Sequence, residues 1–395
     1  MTDDDVPAAA YGAALAALPG MNHHRLRSVL EQAGSDPRVA WEALTRSSTL
    51  HLDLRLRVRP EQARDLLRSW RDNARRRDVP SWWAATTASG ISAWLVGAPG
   101  FPERLATDLD PPPVLFWRGS GEVAAGAGAA GRPAVAMVGT RRCTAYGTDV
   151  ARELGRGLAE AGVIVVSGLA LGIDGAAHEG ALAAEAAPPI GVVGSGLDVV
   201  YPPRHRTLWR RVAEAGVLLS ESPPGAPPEP WRFPRRNRIL AALADVVVVV
   251  ESHASGGSLS TVRAAIERDV VVMAVPGSVR SPSSAGTNRL LADGVAPVTD
   301  VQDVLVALAL EGADRPPAAR SDATAWDLDD PVLRAVDWTP TATEEILRRT
   351  GLGVAEGATQ LTRLELLGLV RRRGGWWERS VAPGPATDGG YTATT

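Results

Sequence analysis

The stretch "RFPRRNRILAALADVVVVVE", residues 232–251, decides the fold. Its middle, "ILAALA", has helical composition, and its end is the unbroken valine run Val246–Val250. A strand with one wet face alternates apolar and polar residues; an unbroken apolar run needs cover on both faces. Such a strand belongs inside a parallel sheet wrapped by helices. Working outward, comparable runs recur at Ala134–Val138, Val163–Val166, Ile190–Val193, Val217–Leu219 and Val270–Val275, with the valine run taken as Asp245–Val250. Stretches such as "TDVARELGRGLAEAG" and "STVRAAIERD" lie between them and read as helices. Strand–helix alternation predicts an α/β domain over residues 86–312, built on a doubly wound, mostly parallel sheet.

The flanks read differently. Residues 1–75 are helical in pattern, with two helical stretches broken at Pro19-Gly20. The segment 101–121, "FPERLATDLDPPPVLFWRGSG", reads as extended chain packed on the larger domain. Residues 313–327 have linker composition, 328–380 form a small helical unit, and 381–395 have disordered composition.

Composition narrows the function classes. With 42 basic and 45 acidic residues among 395, the formal net charge is −3, so any anion site is a local patch rather than a basic coat. None of the basic residues is lysine, so every side-chain phosphate contact is a guanidinium fork. Cys143 is the only cysteine, which excludes an intrachain disulfide and a cysteine zinc site. The acidic start "MTDDDVPAAA" lacks the basic and apolar regions of a signal peptide, and no apolar run is long enough to span a bilayer. The expectation is a cytoplasmic protein without membrane insertion.

In an open α/β sheet, ligands bind beyond the carboxyl ends of the strands. Here those ends run into Gly139-Thr140-Arg141, "SGLALGIDGAAH" (167–178), "GSGLDVVYPP" (194–203), "ESHASGGS" (251–258) and "PGS" (276–278). Small residues let backbone N–H groups approach an anion, and helix N-termini add partial positive charge. The familiar cofactor fingerprints are missing. "GLALGIDG" is not G-x-G-x-x-G, "GSGLDV" lacks the third glycine, and a Walker loop requires lysine. No cofactor and no metal are expected.

A catalytic set is not expected either. Cys143 has no histidine beside it in sequence to activate it. His178 falls inside a predicted helix, where packing or capping is the simpler role, and Asp174 suits the N-cap of that helix. Glu221 and Glu251 end strands at the rim; either is a candidate general acid or a binder of loop N–H groups. His205 and His253 read as structural.

The arginines of the opening stretch remain. Arg235, Arg236 and Arg238, with Asn237, lie between Pro234 and the apolar helix, and no acid occurs between Arg232 and Asp245. Cations at a helix start oppose the macrodipole and cost stability unless an anion sits nearby. Arg141 offers a further fork. Several forks around a glycine-rich groove suit a sugar-phosphate backbone better than one small ligand.

With these residues assembled, the chain resembles the DprA/Smf family of bacterial DNA-processing proteins. The shared motifs are "VGTRRCTAYG", "VVSGLALGIDGAAHEGAL", "GVVGSGLDVVYPPRH", "LLSESPPG", "FPRRNRILAALADVVVVVES", "SGGSLSTVRAAIERD", "VPGS" and "AGTNRLL", in order. The resemblance implies a Rossmann-like domain that binds single-stranded DNA, forms a homodimer, and helps load RecA onto DNA held by single-strand-binding protein. It also implies a role in natural transformation in competent hosts, without catalysis. By motif match the DNA-contacting candidates are Gly139, Thr140, Arg141, Ser167, Gly168, Arg236, Asn237 and Arg238, with Thr287 and Asn288 of "GTN"; Arg235 is added on charge. "LPGMNHHRLRSVLE" resembles one element of a SAM/helix–hairpin–helix domain, with Asn22 where a second glycine is usual. Residues 328–380 resemble a winged helix, with Thr341 and Glu344 as a capping box and Arg371–Arg373 available to duplex phosphates. The alternative from another class is a nucleotide phosphoribohydrolase of the lysine-decarboxylase-like type, echoed in "SGGSLSTVRAAIE" with Glu267 as its acid.

Overall fold

The computed structural model describes residues 6–46, 59–127, 131–308, 330–338 and 340–380. The expected linker 313–327 and tail 381–395 lie outside them. Nine strands form the main sheet: β1 (Ser92–Leu95), β2 (Val114–Gly119), β3 (Ala134–Gly139), β4 (Ile164–Ser167), β5 (Ile190–Val192), β6 (Val217–Ser220), β7 (Val246–Glu251), β8 (Val271–Ala274) and β9 (Ala296–Pro297). Their spatial order is β1-β2-β6-β5-β4-β3-β7-β8-β9. From β6 to β9 every pairing is parallel, and the apolar runs named above are β3 to β8.

The chain starts the parallel part of this sheet at β3, steps outward through β4, β5 and β6, then returns under the helix Arg232–Leu243 to place β7 on the other side of β3. That reversal puts the ligand-binding crevice of a doubly wound sheet at the carboxyl ends of β3 and β7. Valines 247 and 249 point into the core beneath Ile239, Leu240 and Leu243 of the return helix. Each such fully buried aliphatic side chain contributes about 1.5–3 kcal/mol.

The segment expected to be extended does more than pack. Its β2 joins the sheet, antiparallel to β6 in the register Phe116↔Ser220 and Arg118↔Leu218, and β1 adds antiparallel to β2. Alternation along β2 sends Val114 and Phe116 to one face and Leu115 to the other. The first face is the platform for the N-terminal helices Ala8–Ala16, His23–Gln32, Pro37–Thr45, Pro60–Arg76 and Val79–Ala88. Leu15, Val29, Leu44 and Trp70 close a core with Ile91, Val114 and Phe116, and the buried indole of Trp70 donates to Pro19 O at 2.8 Å. Asn22 is the N-cap of the helix His23–Gln32 and accepts from Arg25 N at 3.0 Å, which accounts for an asparagine where the motif usually has glycine.

The C-terminal unit has its own core. Helices Pro331–Ala335, Thr343–Thr350 and Val354–Leu366 pack Leu333, Ile346, Leu361 and Leu364 against Trp377. Its strands β10 (Thr341–Ala342), β11 (Val370–Arg373) and β12 (Trp376–Arg379) pair antiparallel with β12 in the middle, as in a winged helix. The expected capping box is absent here: Ala342 occupies the N-cap, and the Thr341 hydroxyl instead accepts from Asp337 N at 3.1 Å. Thr341 serves β10, one residue too early to cap. Among the described residues, no helix is long and apolar enough to cross a membrane.

Candidate nucleic-acid interface

The turn after β3 leaves the sheet at Gly139. Thr140 N donates to Glu251 O of β7 at 2.7 Å, so the two central strands stay tied to their last residue. Arg141 then projects from the rim, exposed, with its guanidinium 4.9 Å over the ring of Phe233. Phe233 packs in turn on Tyr201, ring centroids 5.5 Å apart. Beneath this stack lies a cleft of about 380 Å³, its open mouth included, lined by Arg141, Gly168, Gly194, Ser195, Tyr201 and Phe233. A flat cation over aromatic rings, beside glycine backbone, can hold a phosphate and stack a base within one step of chain.

The turn after β4 carries the cleft's floor. The Ser167 hydroxyl is spent inside, donating to Met137 O at 2.6 Å, so Ser167 offers the rim only backbone. Gly168 is dictated by sterics: a Cβ there would run into the guanidinium of Arg236. Leu169 adopts φ 54°, a conformation that costs an L-residue on the order of 1–2 kcal/mol, and His205 Nδ1 braces its carbonyl at 3.0 Å.

The arginine cluster differs from its sequence expectation. The return helix begins at Arg232, not after Pro234, so Arg235, Arg236 and Arg238 occupy its first two turns. Arg232 pairs with Glu229, three residues before it, at 3.0 Å. The other acids come from distant parts of the chain: Arg238 pairs with Glu221 and, at 3.1 Å, with Asp110. Asp110 also takes His23 and Arg27, tying the helical layer to the sheet. Arg235 lies 3.7 Å from the shared Glu221. Arg236 is only 7% exposed; it donates to Val192 O, and Asp174 is its charge partner. Burial pulls its pKa down to about 10, with Asp174 opposing and Arg141 adding to the shift, so it stays charged at neutral pH.

Asp174 is therefore not the N-cap expected of it. Gly172 holds that position, and Asp174 sits buried in the first turn, accepting from Ala170 N at 3.4 Å. Burial raises its pKa, while Arg236 and Arg141 hold it down. Burial also pushes His178 down to about 4, leaving a neutral core imidazole. Desolvation lifts Glu221 to about 7 despite Arg238.

The remaining candidates brace loops. Asn237 donates to Ser260 Oγ at 2.7 Å. Asn288 closes a double contact with Gly277, accepting at 3.2 Å and donating at 3.0 Å, and buried Thr287 bonds Ser284 O at 3.1 Å. None of these three lines the cleft. Glu267 caps the carboxyl end of the helix Leu259–Ile266 and is exposed, at the end of the helix away from the rim, so the acid named for the phosphoribohydrolase reading does not lie in the crevice. Sequence reading puts Tyr201 and Phe233 near the rim, in "DVVYPP" and "RFPRRNR", but does not show that they stack with Arg141.

Comparison with known proteins decides the lineage. Residues 92–309 match the family DNA recombination-mediator protein A. The chain belongs to that family. Residues 316–375 match the DprA winged helix domain. Within the family, a DNA processing protein DprA of Mycobacterium tuberculosis is 42% identical over 249 residues, covering 62% of this chain and 64% of that protein, just under two thirds of its length. Protein Smf of Escherichia coli is 35% identical over 277 residues, 68% of this chain and 72% of its own. The X-ray structure of DNA processing protein A from Streptococcus pneumoniae superposes with a TM-score of 0.59 at 28% identity, covering 76% of this chain and 98% of that one.

Proposed function

We propose that this family member is a recombination mediator that binds single-stranded DNA along the carboxyl rim of its sheet and helps load RecA, acting without catalysis. Family membership supports the class of activity. The observation that carries the site is the Arg141–Phe233–Tyr201 stack over the glycine-lined cleft. Arg141 grips a phosphate, the amides around Gly139, Thr140 and Gly168 supply neutral donors, and the two rings receive a base. Arg236, with Arg238 and Asn237 behind it, supports this surface from below, its buried charge raising the local potential. Thr287 and Asn288 steady the neighbouring loop.

Backbone recognition of this kind reads no base edges, so binding is weakly sequence-dependent and strongly salt-dependent. If three to four phosphates are neutralised, log K falls with log salt at a slope of roughly −2 to −3 for single strands. Two protomers of a homodimer bridging one strand raise apparent affinity by avidity. The test is fluorescence anisotropy with a labelled oligonucleotide and its duplex at several salt concentrations. Preference for the duplex, or a flat salt response, refutes the reading.

A further inference from the structure

Two helix N-termini meet at a second cavity, on the other side of Gly194 from the rim cleft. It measures about 540 Å³ including its open mouth. Asn22, His23 and Leu26 line it from the start of the helix His23–Gln32, and Trp231, Arg232, Arg235 and Arg236 from the start of the return helix. Neither helix carries an acid in its first turn. Both ends therefore bring partial positive charge to one space.

The side chains add to it. Three arginines and one carboxylate, Glu221, belong to the wall, and Glu221 is already engaged by Arg238. No hydrogen bond satisfies the Arg235 guanidinium among the described residues, and its contact with Glu221 is long, at 3.7 Å. Burial pulls its pKa down to about 9, with Arg238 adding to the shift. Arg236 Nε and His23 Nδ1, both in side chains more than nine-tenths buried, have no hydrogen-bond partner. A half-buried cation whose single acid is distant and shared with another arginine carries a desolvation cost that a bound anion would offset. Trp231 stands at this site 47% exposed, with Arg232 4.5 Å from its ring. The Ser222 hydroxyl, which accepts from Arg232 at 2.9 Å, completes the polar wall.

We propose that this cavity is a phosphate site separate from the rim cleft, binding the phosphate of a nucleotide between Arg235 and the two helix ends while Trp231 stacks on the base. The chemistry fits two sources, a free nucleoside monophosphate or the 5′-phosphate at the end of a DNA strand. Neither Arg141 nor Tyr201 belongs to this cavity, so the two sites separate by mutation.

Equilibrium dialysis with labelled AMP tests the proposal on the full chain, using the wild type and the variants Arg235→Gln, Arg232→Gln and Arg141→Ala, each checked for folding by circular dichroism. Saturable AMP binding is expected in the wild type and in Arg141→Ala. It weakens about tenfold or more in Arg235→Gln, the effect of losing one charge-assisted contact. Arg232→Gln gives the same result if Arg235→Gln does not fold. A 5′-phosphorylated oligonucleotide that displaces AMP better than its 5′-hydroxyl twin assigns the site to strand ends; equal displacement assigns it to free nucleotides, and both uphold it. Absence of saturable AMP binding in the wild type overturns the proposal. So does AMP binding that survives Arg235→Gln and is lost in Arg141→Ala.

Discussion

Arg141 holds its guanidinium 4.9 Å over the ring of Phe233, a geometry that fixes an otherwise mobile side chain at the mouth of the rim cleft. Held this way, the fork reaches a phosphate with little further loss of rotamer freedom. Because Arg141 is exposed, its removal leaves the core untouched.

Arg141→Ala is therefore expected to weaken single-strand binding about tenfold while the thermal midpoint stays within a degree or two. The slope of log K against log salt shrinks by about 0.7, the loss of one neutralised phosphate. Anisotropy titrations at four salt concentrations measure both quantities. An unchanged slope would remove Arg141 from the interface.

Arg236 responds in the opposite way. Its guanidinium is the counter-charge of buried Asp174, so Arg236→Ala strands a carboxylate in the core. A loss of about 3–5 kcal/mol is expected in urea denaturation. Adding Asp174→Asn should restore part of it, because the double variant no longer buries an unpaired charge. A single variant as stable as wild type would show that the pair is not coupled.

Gly168→Ala reports on the same spot by sterics alone. The added methyl meets the Arg236 guanidinium, which is buried and cannot retreat. Overpacking of this kind costs about 1–3 kcal/mol. Combined with Arg236→Ala, the penalty from the methyl should vanish, and a double-variant cycle by chemical denaturation tests that coupling.

Glu221 gives a pH signature. Its folded pKa, about 7, lies above its ordinary value of 4.5, so the folded chain holds the proton longer than the unfolded one. That contribution is fully present below about 4.5 and is lost as pH rises through about 7. Asp174, also raised, pulls the same way, whereas His178, lowered from 6.5 to about 4, adds stability as pH rises across that interval. Glu221→Gln removes one falling component, so its stability should climb more steeply between pH 5 and 7 than the wild type's, by up to about 1.4 kcal/mol per pH unit. Parallel stability–pH curves for the two proteins would refute this assignment.

Much of the fold was legible because the parallel strands are continuous apolar runs with helical intervals, and such runs admit few other readings. β1 and β2 escaped detection for a physical reason. "VLFWRG" is a strand because it pairs with β6, about a hundred residues later in sequence, and "SAWL" because it then pairs with β2. The rim was legible as glycine and serine turns. The charge state of the arginine cluster was not, since Asp110, Glu221 and Asp174 reach Arg238, Arg235 and Arg236 only through the fold. Local sequence shows a cation's neighbours along the chain, whereas its counter-ion is chosen by topology. Asp174 shows the same limit: two residues past its expected cap position, it became a core acid.

The antiparallel strand β2 has a practical corollary for anyone trimming this protein. Its Val114 and Phe116 are roofed by the first helices, so a fragment starting after residue 90 would expose an oily shelf along a sheet margin. Such a fragment should clump or pair edge to edge, and fragments meant for binding studies are best begun ahead of the first helix.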